Sequence, residues 1–412
     1  MGPVKPVYTD VWEWSMPGQE ISLARPRGVC VSSRAQQKVG GVVNSISKFL
    51  QITILSGHMK RRSLFIWSTA VLLLTQVACS PIYVIRAGYE EAKILSRRQP
   101  IQRLVEDPTT PPEQRGKLAL VLEARAFAAD SLNLDVGRSY TTFSQLESDT
   151  LAFVLSAAHQ DRFQAHTWWF PIVGRVPYKG FFSERSARRE MARLESRGFD
   201  TYLRTTSAFS TLGWFNDPLV SSLLRYDSVS LANTVIHELF HNTMYLPGQA
   251  TFNESMAQFV GGRGAIMFFC GPAYGEASAE CVRARDAWHD ELIFGEFLDA
   301  LIGELESLYS REDLTLEETL VLREEIFRRS QQEFASFVRP RLRVSSYAGF
   351  TQNPLNNATL AARRMYYHRL DLFDQLYAAS GESLPLTIQR ILGVIEGAAD
   401  PFQAVEQLAA AG

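Results

Sequence analysis

Two histidines flank a glutamate in His237-Glu238-Leu239-Phe240-His241, and this spacing constrains the chain more than any other feature. On a helix, positions i and i+4 share a face, so both imidazoles can reach one metal ion. Glu238 then lies beside them, placed to take a proton from a bound water. With 7 His and 44 acidic residues in 412, such a pattern is expected only about 0.01 times by chance. Residues 228–236 offer hydroxyl N-caps and then a largely apolar approach, whose burial would hold both histidines rigidly. The competing reading is two histidines on a helix surface.

A catalytic zinc usually takes three protein ligands and keeps a fourth position for water. The candidate third ligand is Glu254, in Thr251-Phe252-Asn253-Glu254-Ser255. Pro247-Gly248 ends the first helix and a second begins near Thr251. His241 to Leu246 covers about 7.5 Å of helix rise and Ala250 to Glu254 about 6 Å, so a helical hairpin returns Glu254 opposite His241. Thr251-x-x-Glu254 is also a capping box, in which Glu254 would bond the Thr251 backbone N–H. With three ligands, zinc would polarise a scissile carbonyl and acidify its water, with Glu238 as general base. A donor to the developing oxyanion is also needed. Tyr366, Tyr367 and His368 are candidates on a predicted helix, with ordinary packing the competing reading for the last two. Asn356 and Asn357 could equally cap that helix.

The rest of the chain reads as mainly helical α+β. Apolar residues are 46% and charged residues 21%, which excludes a wholly disordered chain. Lys+Arg of 42 against Asp+Glu of 44 argues against nucleic-acid binding. Periodicity predicts helices over 82–105 and 113–132, with Pro108, Pro111 and Pro112 between them. Residues 168–178 and 199–206 are β-like, separated by a polar helix over 184–196. After Asp227 helices run almost to the end, with loops near 246–252, 271–276 and 344–357. Cys270 and Cys281 flank a turn-rich loop and could form a disulfide in an oxidising compartment or remain free thiols.

A second feature supplies an address. Met59-Lys60-Arg61-Arg62 precedes an apolar block over 63–74, and Thr75-Gln76-Val77-Ala78-Cys79 follows. That is the layout of a secretory signal peptide. Cys79 directly after a small residue resembles a bacterial lipobox, whose Cys is lipidated and becomes the mature N-terminus, although Gln76 stands where Leu is usual. The alternative is a retained anchor helix, because residues 63–85 carry no charge. Pro81 weakens that reading. Both readings leave Lys60, Arg61 and Arg62 on the cytoplasmic side and the bulk of the chain outside. Residues 1–58 are rich in Gly and Pro without clear periodicity. We expect them to be a mis-assigned or disordered leader, with 59–78 the signal peptide and 79–412 a single catalytic unit of one or two lobes.

His-Glu-x-x-His followed by Asn253-Glu254 resembles the gluzincin metallopeptidases, whose third ligand is a Glu on the next helix. The wider sequence resembles the bacterial putative aminopeptidase family, often predicted lipoproteins. The resemblance rests on Tyr89, Phe170-Pro171-Ile172-Val173-Gly174, Tyr178-Lys179-Gly180-Phe181-Phe182, residues 210–219, the two metal-helix segments, and Leu355-Asn356-Asn357-Ala358 with Tyr366. It implies a zincin-like fold with a small β-sheet beside the His-Glu-x-x-His helix, zinc as cofactor and a peptide as substrate. It makes Tyr366 the preferred oxyanion donor and puts Asn356, Asn357 and Trp214 among the candidate substrate contacts. The β-like region ending at 210–215 could supply an edge strand for the substrate. The best-known gluzincin aminopeptidases carry Gly-x-Met-Glu-Asn upstream of the zinc helix. This chain has no such segment, and its His241-to-Glu254 spacing is shorter.

The expected protein is thus an exported, lipid-anchored zinc peptidase of the bacterial envelope, facing the periplasm, and an aminopeptidase by resemblance. The alternatives are an endopeptidase with the same site, or a non-catalytic scaffold of the same fold.

Overall fold

The computed structural model describes residues 81–147, 152–170, 174–206 and 216–411. The leader, the signal segment, Cys79 and Trp214 lie outside the described residues, as does the expected edge strand at 210–215.

The described residues open with α1 (Pro81–Ser96), β1 (Gln99–Pro100) and α2 (Ile101–Glu106). The single helix expected over 82–105 is broken there, because Pro100 lacks an N–H and disfavours helix at the residue before it. Next comes α3 (Pro112–Asp130), which starts on a proline, where a missing N–H costs nothing. The β region comprises β2 (Thr142–Ser144), β3 (Ala152–His159), β4 (Trp168–Phe170), β5 (Gly174–Val176) and β6 (Tyr178–Phe181). It continues through α4 (Glu184–Glu195), β7 (Phe199–Thr206) and β8 (Leu219–Val220). The remainder is helical: α5 (Ser228–Thr243), α6 (Ala250–Phe269), α7 (Ala279–Tyr309), α8 (Leu316–Glu333) and α9 (Ala348–Gln352). Four more follow, α10 (Asn357–Tyr367), α11 (Leu370–Ala379), α12 (Leu384–Ile395) and α13 (Pro401–Ala411). The result is mainly helical α+β. Among the described residues, no helix is long and apolar enough to cross a membrane.

The central strand β3 is absent from the expectations. Its run Ala152-Phe153-Val154-Leu155-Ser156-Ala157-Ala158 lacks apolar–polar alternation because both faces are covered. Val154 joins the main core, while Leu155 and Ala157 join a second cluster with Ala187 and Leu194 of α4. β6 and β7 pair antiparallel with β3 on either side. Ser156 stands opposite Tyr178 and Tyr202, and Val154 opposite Gly180 and Arg204. α10 lies across β3 and β7 and also packs on α6 and α7. One helix thereby ties the sheet to the helical core.

The C-terminal end of α6 is joined covalently to α7. Cys270 and Cys281 form a disulfide with Cα atoms 4.8 Å apart, closing a sequence separation of 11. A loop of that length should stabilise the fold by about 3 kcal/mol through the unfolded chain. Urea unfolding with and without a thiol reductant should show that loss. Coincident curves would mean the bridge contributes nothing.

Candidate metal centre

α5 carries the two histidines, and its start is fixed by an acid rather than by the expected hydroxyls. Asp227 is the N-cap and accepts a hydrogen bond from the Ser230 backbone N–H at 2.9 Å. Arg283 of α7 donates to its other carboxylate oxygen at 2.9 Å. Val235, Ile236, Leu239 and Phe240 are fully buried, so the helix cannot roll without exposing core.

α6 brings Glu254 back along α5. The two helices approach at Gly261, where a Cβ would sit 2.4 Å from Asn233 Oδ1 and 3.1 Å from His237 Cβ. The turn between them is clamped by Asn253. Its Nδ2 donates to the Leu246 carbonyl and its Oδ1 accepts from the Leu246 N–H, both at 2.9 Å. Sequence reasoning treats Asn253 only as Glu254's neighbour. Its amide, one donor and one acceptor, is the signal that a two-sided clamp was available. The capping-box reading of Glu254 does not hold. α6 begins at Ala250, its N-cap is Gln249 with no side-chain cap bond, and Thr251 is already helical.

His237, His241 and Glu254 converge, each buried, with one ligand atom apiece and all three within 4.8 Å of one another. Glu254 Oε2 lies 3.4 Å from His237 Nε2 and 3.6 Å from His241 Nε2. Ligands about 2.1 Å from a tetrahedral zinc stand about 3.4 Å from each other, so the spacing fits a zinc-sized cation. His237 Nε2 and Glu254 Oε2 have no hydrogen-bond partner among the described residues. Leaving such buried atoms unpaired costs about 1–3 kcal/mol each, which a bound cation would relieve.

The electrostatics suit a cation too. Burial opposes charge on Glu254, but the two imidazoles outweigh it and hold the carboxyl at about 2. Burial lowers the pKa of His237, which favours the neutral, ligating form. At His241 burial acts in the same direction, but the Glu254 carboxylate prevails and raises it.

Glu238 is buried on α5, and its charge is felt by His241 and Tyr366. Tyr366 is 1% exposed, its ring stacked 6.3 Å from the His237 ring. Its hydroxyl has no hydrogen-bond partner among the described residues. Burial, then the charge of Glu254, pushes the phenol well above its usual range, so it remains a proton donor.

The other candidates lie elsewhere. Tyr367 packs on Phe294 with ring centroids 4.9 Å apart. His368 Nδ1 is 2.7 Å from Asp299. Asn356 caps α10 through the Thr359 N–H at 2.8 Å and donates to the Thr201 carbonyl at 3.0 Å. The Asn357 N–H donates to Asp200 at 2.9 Å, and its side chain donates to the His159 carbonyl at 2.8 Å. Both asparagines thus anchor the start of α10 to the sheet, about 15 Å along the helix from Tyr366. Sequence reasoning also missed Tyr178 and Arg204, whose electrostatic influence reaches Tyr366 and which stand on one sheet face, on the two strands that flank β3. Only strand register could have revealed them.

One turn beyond Glu254, Gln258 Nε2 donates to buried Glu291 at 2.9 Å. Burial pushes the Glu291 carboxyl from 4.5 to about 8, and the Asp290 charge adds to the effect against the Gln258 bond. The folded state therefore holds a proton that the unfolded chain has released between pH 4.5 and 8. Stability should fall as pH rises through that window, by on the order of a few kcal/mol in total. Glu291→Gln mimics the protonated acid and should flatten the slope in denaturant titrations at stepped pH. A slope equal to wild type would mean Glu291 titrates normally.

Comparison with curated proteins and with solved structures gives no match. A family model described as Putative aminopeptidase matches residues 82–400, a span that includes both histidines, Glu238, Glu254 and Tyr366. The chain belongs to that family.

Proposed function

We propose that the protein is a zinc-dependent peptidase of the gluzincin type, with a zincin-like catalytic unit, that hydrolyses peptides. The observation that carries this is the convergence of three buried donors, with Glu238 on the same helix and the Tyr366 ring stacked on that of His237. His237, His241 and Glu254 would hold the metal. Bound there, zinc would supply Lewis acidity toward a peptide carbonyl and toward water. Glu238 takes the proton of the attacking water and passes it to the leaving amine. Tyr366 donates a hydrogen bond to the oxygen that gains charge. Tyr366→Phe should lower kcat by about a hundredfold or more with little change in KM. A loss under threefold would remove the phenol from that role.

Family membership favours an aminopeptidase. The missing Gly-x-Met-Glu-Asn segment favours the second reading, an endopeptidase with the same site. A peptide-library digest read by mass spectrometry separates them, since loss of N-terminal residues alone supports the first and internal cuts the second. We further propose export and lipid attachment through Cys79. The residues 59–79 have that layout, and the Cys270–Cys281 disulfide suits an oxidising compartment. Intact-mass analysis of the native protein tests this, since a mature chain without a lipid-bearing Cys79 at its start would count against it, while any peptide from residues 1–58 would show that the leader is translated.

A further inference from the structure

A cavity of about 430 Å³ lies between the sheet, the C-terminal half of α10 and the start of α6. Ser156 and Ala157 of β3 line one side, Ala361 and Met365 of α10 another, and Gln249 and Thr251 a third. The last two walls belong to the helices that also carry Glu254 and Tyr366. Thr251 is one turn before Glu254 on α6. Met365 precedes Tyr366, and its carbonyl accepts the hydroxyl of Ser255, the residue after Glu254, at 3.0 Å. The volume falls within the range of small-ligand pockets.

Its chemistry is specific. Alanines 165, 361 and 362 leave space in the lining that larger side chains would fill. Arg364 and His368 on its border have carboxylate partners. Arg364 donates to Glu306 at 2.9 Å, and His368 is 2.7 Å from Asp299. Phe402, on the far wall, is fixed by Phe252 at a ring distance of 5.0 Å. Exposed Asp400 marks the outer rim. The walls are held in place by these packed neighbours.

We propose that this cavity receives an apolar side chain of the peptide substrate, from a residue near the bond that is cut. The inference rests on the peptidase reading of the adjoining metal centre. The test uses zinc-loaded wild type, Ala361→Phe and Ala165→Phe, which fill the cavity from opposite walls, so one misfolded variant leaves the other. Peptide pairs differing by a single Phe or Ala are compared. The ratio of kcat/KM for Phe over Ala should fall at least about tenfold in both variants, as expected when a ring loses its pocket. Binding of the same peptides is measured by calorimetry in the Glu238→Gln background. If peptides are cut but both variants keep the wild-type ratio, the cavity takes no side chain and the peptidase reading stands. If no peptide is cut, but Phe peptides bind and both substitutions weaken that binding tenfold, the cavity assignment stands and the peptidase reading falls. If peptides are neither cut nor bound, both fall.

Discussion

Glu238→Gln should retain about one zinc per chain and cut peptides about a thousandfold more slowly than wild type. The two halves of that result come from different atoms. The proposed metal donors are His237, His241 and Glu254, and Glu238 is not among the three residues that converge. Gln has the size of Glu and can keep a neighbouring polar contact, so the helix and its imidazoles should not move. What it lacks is a basic carboxylate, and removing a general base typically costs about 10²–10⁴ in rate. Metal analysis and progress curves on one preparation read both halves. Wild-type turnover in the variant would exclude Glu238 as the base. Loss of zinc would mean that it helps to hold the metal.

The second large effect is expected at Glu254. Glu254→Ala should bring zinc content to near zero at micromolar protein and abolish hydrolysis. Its carboxylate faces both imidazoles, at 3.4 and 3.6 Å, and is held ionised at about 2 despite its burial. Without it a two-histidine site remains, which is incomplete for zinc. Thermal unfolding gives a readout independent of activity. Ligand at a thousand times its Kd stabilises a fold by about 4 kcal/mol, so a chelator should lower the wild-type Tm and leave the variant's unmoved. A variant that still carries stoichiometric zinc would exclude Glu254 as a ligand.

The three donors are legible in the sequence because their chemistry repeats at helical spacing. An i, i+4 pair and a short hairpin suffice to bring an acid opposite two imidazoles. The helices around them are legible for the same reason. β3 is not, since a strand buried on both faces loses the alternation that marks strands, and its Ala-rich run reads equally as helix. The break before α2 is missed because a single Pro100 outweighs otherwise helical spacing. Polar side chains near termini are read least well. Asp227 rather than a serine caps α5, and Asn357 bonds the sheet, although Asn356 does cap α10 as one of its two readings had it. Such choices depend on neighbours far along the chain. Tyr366 is singled out by resemblance, and its position against His237 depends on how α10 crosses the sheet.

The Asn253 clamp has a consequence for which changes of length this protein can tolerate. By fixing Leu246 to the start of α6, it sets the rotational phase with which that helix leaves the turn. Each residue added or removed inside the helix, between Ala250 and Asn253, would shift that phase by about 100°. A single-residue insertion would therefore swing the Glu254 carboxylate out of the space between the imidazoles while leaving every side chain of the metal set in the sequence. The chemistry of this centre is thus encoded as much in the count of residues between its donors as in their identity.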